Sequence, residues 1–308
     1  MNIGVLGGGS WGTTVAHLLS RRYDVTLWAR NSDIADEINA HHTNDRYLSS
    51  ARLSPKLQAT DRLQDATRGQ SVLVMAIPAQ NFRAVLTDAA RYLEPLTPIV
   101  SLSKGLEFSS GARMTEIIQA VCPDHPAAVL TGPNLAQEIM AGFAAASVLA
   151  TPNPDDQSHL QRIFHSPLFR VYTNDDVVGC ELCGVLKNII AIAAGMSDGL
   201  GAGNNTRAAI ITRGLAEITR LGLAMGAKAE TFSGLAGMGD LVTTGTSAQS
   251  RNHTVGFKLG QGNSIDSIIQ DMFMVAEGIK SAPAVMRLAE QFGVEMPIAA
   301  EVMQVVTG

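Results

Sequence analysis

Lys187 stands within an apolar run, Gly184 to Met196, with Cys183 and Gly184 a turn before it and Ile190 and Ala191 a turn after. Residues three and four apart share a helix face, so the amine is expected among small and apolar neighbours. Lysine is rarely buried without a partner. Desolvation penalises its charged form and lowers its pKa, which suits it to proton exchange near neutral pH. The alternative is a lysine whose stem snorkels the amine to water. Other groups carry chemistry too. Lys104 follows the apolar run Pro98–Leu102 and precedes Gly105, so its ammonium is delivered to a strand end. Asp240 closes the glycine-rich stretch Gly234-Leu235-Ala236-Gly237-Met238-Gly239. Ser250, Arg251 and Asn252 offer a hydroxyl, a guanidinium and an amide in succession, and the guanidinium fork suits phosphate. Glu277 follows the apolar Met274-Val275-Ala276, and spacing alone gives it no role.

Near the start, Gly7, Gly9 and Gly12 fall as G-x-G-x-x-G between an apolar run beginning at Asn2-Ile3 and a helix-compatible run, Thr13 to Leu19. In that context Gly7 permits a tight turn, Gly9 lets a pyrophosphate approach the backbone, and Gly12 lets the helix pack on the strand. Free N–H groups at the helix start, around Ser10 and Trp11, would bind the pyrophosphate. A dinucleotide is the expected ligand. The second strand ends in Ala29-Arg30-Asn31-Ser32, where an NAD-preferring site usually carries an acid. Arg30 could pair with a 2′-phosphate, which leans the expectation to NADPH; Asp33, just beyond, keeps NADH open.

These groups need a scaffold. Strands are expected near 25–29, 71–77, 98–102, 127–130, 145–150 and 168–172, with a helix over 80–92. Residues 42–58 read as a polar loop anchored by Tyr47, Leu48 and Leu53. The alternation predicts an α/β fold, a doubly wound and mostly parallel sheet. Ligands then sit beyond the strands' carboxyl ends, which puts Ser10-Trp11, Arg30, Ile77-Pro78, Lys104 and Gly132–Asn134 on one rim. From Val177 the periodicity is helical. The expected division is a dinucleotide-binding Rossmann domain over 1–176 and an all-helical substrate and catalytic domain over 177–308. Its first helix, about 178–196, is apolar on nearly every face and should be central. Asn204-Asn205-Thr206 reads as a polar stretch before another helix reaching Met225. The glycines of 234–239 read as freedom of φ and close approach of backbone to ligand.

Composition narrows the function. The 308 residues are 46% hydrophobic and 17% charged, with a net charge of −5. A large core follows, and a nucleic-acid partner recognised by bulk positive charge is excluded. Cys122, Cys180 and Cys183 make neither a disulfide framework nor a metal site; they read as buried small hydrophobes, and no metal is expected. No signal peptide is expected ahead of the first strand. The longest apolar run is too short for a bilayer, which takes ~20 residues, so a cytoplasmic protein is expected.

Seven blocks occur in one order: Gly7-Gly8-Gly9-Ser10-Trp11-Gly12, Ser103-Lys104-Gly105, Gly132-Pro133-Asn134-Leu135-Ala136, Leu186-Lys187-Asn188, Gly237-Met238-Gly239-Asp240-Leu241, Ser250-Arg251-Asn252 and Ala276-Glu277-Gly278. With them the chain resembles the bacterial NAD(P)-dependent glycerol-3-phosphate dehydrogenases over nearly its whole length. The resemblance implies interconversion of dihydroxyacetone phosphate and sn-glycerol 3-phosphate for phospholipid synthesis, with NADPH or NADH as cofactor. It implies Lys187 as proton donor and acceptor. It implies Lys104, Gly132, Asn134, Lys187, Asp240, Ser250, Arg251 and Asn252 at the substrate. Ser10, Trp11, Arg30, Lys104, Ala136, Arg251, Val275 and Glu277 match cofactor positions. The family is commonly dimeric, so a homodimer is expected. Asn134 departs from the serine or threonine of many members, and the end at Gly308 looks short for the family, so a final helix is expected to be missing. Two other readings compete: a related dehydrogenase of a 3-hydroxy or 2-keto acid, and a non-catalytic NADPH sensor.

Overall fold

The computed structural model describes residues 1–272 and 276–307. The chain divides into two compact units. The first comprises residues 1–103, 113–130 and 134–175; the second comprises 104–112, 131–133 and the chain from 176 onward.

The first unit is built on an eight-stranded sheet. Its strands are β1 (Asn2–Leu6), β2 (Asp24–Trp28), β3 (Gln58–Thr60), β4 (Val72–Met75), β5 (Ile99–Ser101), β6 (Ala127–Thr131), β7 (Ala145–Ala150) and β8 (Phe169–Asn174). The order is β3-β2-β1-β4-β5-β6-β7-β8. β1 runs parallel to both neighbours, with Ile3 opposite Val25 on one side and Val72 on the other. The chain starts centrally, builds outward through β2 and β3, then returns to build the other half from β4. That reversal beside β1 is the switch point of a doubly wound sheet. Both faces are covered, so the central strands are apolar runs without alternation: Val72, Leu73, Val74 and Met75 in succession are all fully buried.

Six helices connect these strands: α1 (Ser10–Ser20), α2 (Ser32–His41), α3 (Ala79–Ala90), α4 (Met114–Val121), α5 (Ala136–Met140) and α6 (Pro154–Phe164). Local sequence starts several of them. The Asn31 side chain accepts from Asp33 N–H and so caps α2. Asn153 does the same for α6, with Pro154 in the first turn. The loop expected over 42–58 is corrected at its end. Gln58–Thr60 forms the edge strand β3 against β2, a pairing too short to leave a periodic signal. Its anchors Leu48 and Leu53 are buried as expected.

The second unit's regular elements are all helical: α7 (Val177–Gly199), α8 (Gly203–Ala224), α9 (Ala229–Ser233), a π-helical turn at Leu235–Gly239, α10 (Asp240–Thr246), α11 (Arg251–Gly260), α12 (Ile265–Asp271), α13 (Glu277–Gln291) and α14 (Pro297–Thr307). Asp176 starts α7 by accepting from Gly179 N–H, and its other oxygen takes Lys228 N–H and Thr231 Oγ1 ahead of α9. α7 is longer than its apolar run suggests. At 23 residues it is long and apolar enough to cross a membrane, which corrects the reading that it is too short. Its residues are buried by α8, α10, α11, α13 and α14, which makes it the core helix of this unit. Cys180 and Cys183 are buried in it and form no disulfide among the described residues.

Two further expectations change. Asn204–Thr206 is not a stretch ahead of a helix but the first turn of α8. The glycines at 234, 237 and 239 take no positive φ. Gly237 instead lets the π-helical turn lie against the backbone of Phe232, whose oxygen is 2.2 Å from where a Cβ would be. The same device joins α7 to α11. A Cβ on Gly195 would lie 2.1 Å from His253 O, and one on Gly256 would lie 2.0 Å from Ile192 O. Gly199 and Gly260, one turn on, pack alike. Two G-x-x-x-G faces thus bring the helix backbones together, the small-residue packing that close crossings need. Gly256→Ala is expected to cost about 1–3 kcal/mol by overpacking, read as a lower midpoint in urea; an unchanged midpoint would contradict this packing.

Candidate active site

In the first unit, β1 ends at Leu6 and Gly7 turns the chain with φ of +122°, a conformation that side chains rarely adopt. A Cβ on Gly12 would lie 2.0 Å from Gly7 O, so only glycine lets α1 start this close. A Cβ on Gly9 would meet nothing within 4 Å. Gly9 occupies the N-cap of α1 with no side chain capping it, and no acid lies in the first turn. The first N–H groups of α1 and the positive end of its dipole are left for an anion. Trp11, in that turn, has a buried indole N–H with no partner among the described residues, and its ring tilts against Phe169. An uncapped helix start, an open glycine and an orphaned donor fit a dinucleotide's pyrophosphate. Arg30 is exposed two residues beyond β2. Asp33 lies within the first turn of α2 rather than at the strand tip. Ala136 opens α5. The Asn134 carbonyl accepts from Ser147 Oγ at 2.6 Å, while its amide nitrogen is buried without a partner among the described residues.

The second unit gathers Lys104, Gly132, Lys187 and Asp240. Lys187 Nζ donates to Asp240 Oδ1 at 2.5 Å and to Thr244 Oγ1 at 2.5 Å. Lys104 Nζ donates to Asp240 Oδ2 at 2.7 Å and to Gly132 O at 2.8 Å. One carboxylate therefore serves two ammoniums. The side chains of Asp240, Lys187 and Lys104 keep 1%, 7% and 18% of their exposure. Burial pushes the Lys187 pKa down to about 7; Asp240 opposes that shift, and the Lys104 charge reinforces it. Gly184 gives the cluster room, since Thr131 Oγ1 and the Lys104 stem lie 3.2 to 3.4 Å from where its Cβ would be.

A second network fixes the surroundings. Asn188 donates to Gly184 O and accepts from Asn252 Nδ2 at 3.0 Å. The Asn252 carbonyl in turn accepts from Gly278 N–H at 3.0 Å. Ser250 caps α11 by accepting from His253 N–H. Within the triplet Ser250-Arg251-Asn252, Arg251 is exposed while its neighbours are buried and bonded. Burial raises the pKa of Glu277, the first residue of α13, and the charges of Arg251 and Lys280 oppose the rise. Val275 lies outside the described residues. The sequence reading missed Thr244, one turn after Asp240. The glycines before it, read as free in φ, hid the helix that would have made this spacing visible.

A doubly wound sheet with an open glycine turn, followed by helices that bury a lysine of lowered pKa, defines a nicotinamide-dependent oxidoreductase. Comparison with known proteins narrows the class. Residues 2–157 match the profile of the NAD-dependent glycerol-3-phosphate dehydrogenase N-terminus, and residues 176–308 match that of its C-terminus. The chain is 58% identical over its full length to glycerol-3-phosphate dehydrogenase [NAD(P)+] 2 of Sphingopyxis alaskensis, covering 92% of that protein. It is 51% identical to glycerol-3-phosphate dehydrogenase [NAD(P)+] 1 of Mycobacterium tuberculosis over 98% of this chain and 89% of that one. The crystal structure of glycerol-3-phosphate dehydrogenase from Coxiella burnetii superposes with a TM-score of 0.95 at 39% identity, covering 99% of this chain and 94% of that one. The chain belongs to the NAD-dependent glycerol-3-phosphate dehydrogenase family.

Asp240→Asn would leave the buried Lys187 ammonium and the partly buried Lys104 ammonium without their carboxylate. Breaking a buried pair costs about 3–5 kcal/mol, and the loss should be greater at pH 6 than at pH 9. The sign follows from Lys187, which must hold or shed its proton at pH 6 but is already neutral at pH 9 in the wild type. Urea denaturation at both pH values checks this; equal losses would contradict it.

Proposed function

We propose that the chain reduces dihydroxyacetone phosphate to sn-glycerol 3-phosphate with NAD(P)H, and runs the reverse reaction, with Lys187 as the acid and base. The observation that carries this reading is the buried Lys187 ammonium sharing Asp240 with Lys104. Bound NAD(P)H supplies the hydride that adds to the ketone carbon. As the carbonyl oxygen gains charge, the Lys187 ammonium stabilises it and gives up its proton; in reverse, the neutral amine takes that proton back. Thr244 and Asp240 hold the amine, so little reorganisation accompanies the transfer. Lys104 adds positive charge for an anionic substrate. Gly132, Asn134, Ser250 and Asn252 complete the substrate positions, and Arg251 clamps the phosphate, which positions the ketone.

The family supports a triose phosphate over the 3-hydroxy and 2-keto acids. The paired lysines support catalysis over sensing, because a sensor needs no proton donor. By resemblance to the family, Gly7, Gly9, Gly12, Ser10, Trp11, Arg30, Lys104, Ala136, Arg251, Val275 and Glu277 are the positions assigned to the cofactor. Arg30 beyond a strand tip without an acid supports NADPH over NADH. Residues 1–176 act as the dinucleotide-binding domain and 177–308 as the catalytic domain, in a cytoplasmic homodimer.

NADPH oxidation with dihydroxyacetone phosphate, set against ketopantoate and a 3-hydroxy acid, tests the substrate. Turnover of the acids alone would sink this reading. Lys187→Ala is expected to lose ~100-fold or more in kcat while keeping cofactor affinity. In the wild type, kcat/KM for reduction should fall as pH rises through about 7, the value to which burial lowers Lys187, and kcat/KM for oxidation should rise. Near wild-type turnover of the alanine variant would remove Lys187 from the chemistry.

A further inference from the structure

The polar stretch between α2 and β3 has no part in the site as described, yet it is firmly held. His42 takes a left-handed conformation after α2, and its carbonyl accepts from Leu53 N–H. Leu48, Leu53 and Leu57 are buried. Between these anchors Asn44 is fully buried, and its backbone carbonyl accepts from Tyr47 and Leu48 N–H. Its side-chain nitrogen donates to Gly8 O at 3.0 Å and to Thr13 Oγ1 at 2.9 Å. Gly8 O can only accept, so the amide's orientation is settled. The Asn44 Oδ1 is buried with no partner among the described residues, a cost that a side chain chosen for stability alone would avoid.

The bond to Gly8 O controls a donor on the other side of the same peptide. A trans peptide points its C=O and N–H in opposite directions, and no cis bond occurs among the described residues. With Gly8 O held toward Asn44, Gly9 N–H points away from it. That N–H has no acceptor among the described residues, and the space where a Gly9 Cβ would lie is open. Glycines on both sides of the peptide would otherwise let it rotate at small cost. The bond to Thr13 Oγ1 ties the same side chain to the first turn of α1.

We propose that Asn44 is a positioning residue of the dinucleotide site: it locks the Gly8–Gly9 peptide so that Gly9 N–H is held outward as a donor to the cofactor's pyrophosphate. This rests on the reading that the glycine turn binds NAD(P)H. The anchoring of the loop then has a purpose, because the burial of Leu48 and Leu53 brings Asn44 to the back of the turn.

Asn44→Asp keeps the shape but sets a carboxylate oxygen against Gly8 O. Titrations of the folded enzyme without substrate measure Kd for NADPH, ADP-ribose and adenosine, alongside kcat at saturating NADPH. For NADPH and ADP-ribose, which carry the pyrophosphate, Kd should rise about tenfold, the loss of one charge-assisted contact. Adenosine, which lacks it, should bind as before, and kcat should stay within about twofold, since only cofactor binding weakens. Thr13→Val removes one of the two tethers and should raise the NADPH Kd about threefold, as a partial loss of the positioning bond; it decides the matter if the aspartate variant does not fold. Unchanged Kd for NADPH and ADP-ribose, or an equal loss for adenosine, would overturn the role of Asn44. Failure of the wild type to bind NADPH would overturn the dinucleotide reading itself and this role with it.

Discussion

Two ammoniums and one carboxylate share a volume from which water is nearly excluded. Asp240 bonds Lys187 through one oxygen and Lys104 through the other, and it can balance only one positive charge. The remainder is resolved either by an anionic ligand or by loss of a proton. Burial makes Lys187 the group that lets go, and the nearby Lys104 charge pushes in the same direction. An acid poised near neutrality and a demand for negative charge thus arise from one arrangement. In the proposed role, reduction of a phosphorylated ketone would use both: the phosphate would meet positive charge, and the developing alkoxide a proton.

The helices around α7 keep that arrangement intact. Lys187 and Asn188 lie at its middle, where neighbouring helices exclude solvent. α11 reaches α7 through four glycines whose missing side chains let the backbones meet. Because the helices cannot slide without a clash, Asn252 stays on Asn188 and Gly278 stays on Asn252. Arg251 is carried on the same rigid first turn of α11. The apolar core and the polar network therefore place the same residues. A loosened helix contact would be felt as misplaced charge before it was felt as unfolding.

Much of this was legible in the chain. The doubly wound sheet follows from apolar runs at regular spacing, and the glycine turn from three glycines between a strand and a helix. Lys187 stood out because a charge in the middle of an apolar helix demands a partner. Less legible were the features that depend on long-range contact. β3 is three residues on a sheet edge, without periodicity to reveal it. Gly234–Gly239 read as freedom of φ and close approach to a ligand, whereas Gly237 serves a close approach to the backbone of Phe232. Thr244 and Asn44 are ordinary polar residues whose meaning comes from partners 57 and 31 to 36 positions away. The second glycine of each G-x-x-x-G pair was visible, but its match lay on another helix.

The most direct measurement is the titration of Lys187 itself. Enzyme carrying isotope-labelled lysine side chains, with Lys187→Arg to assign the signal, can be followed by NMR from pH 5 to 11 in the absence of ligands. A lysine titrating near pH 7 and absent from the variant is the expected result, because burial outweighs the attraction of Asp240. A Lys187 that keeps its proton beyond pH 10, like a lysine in water, would contradict it.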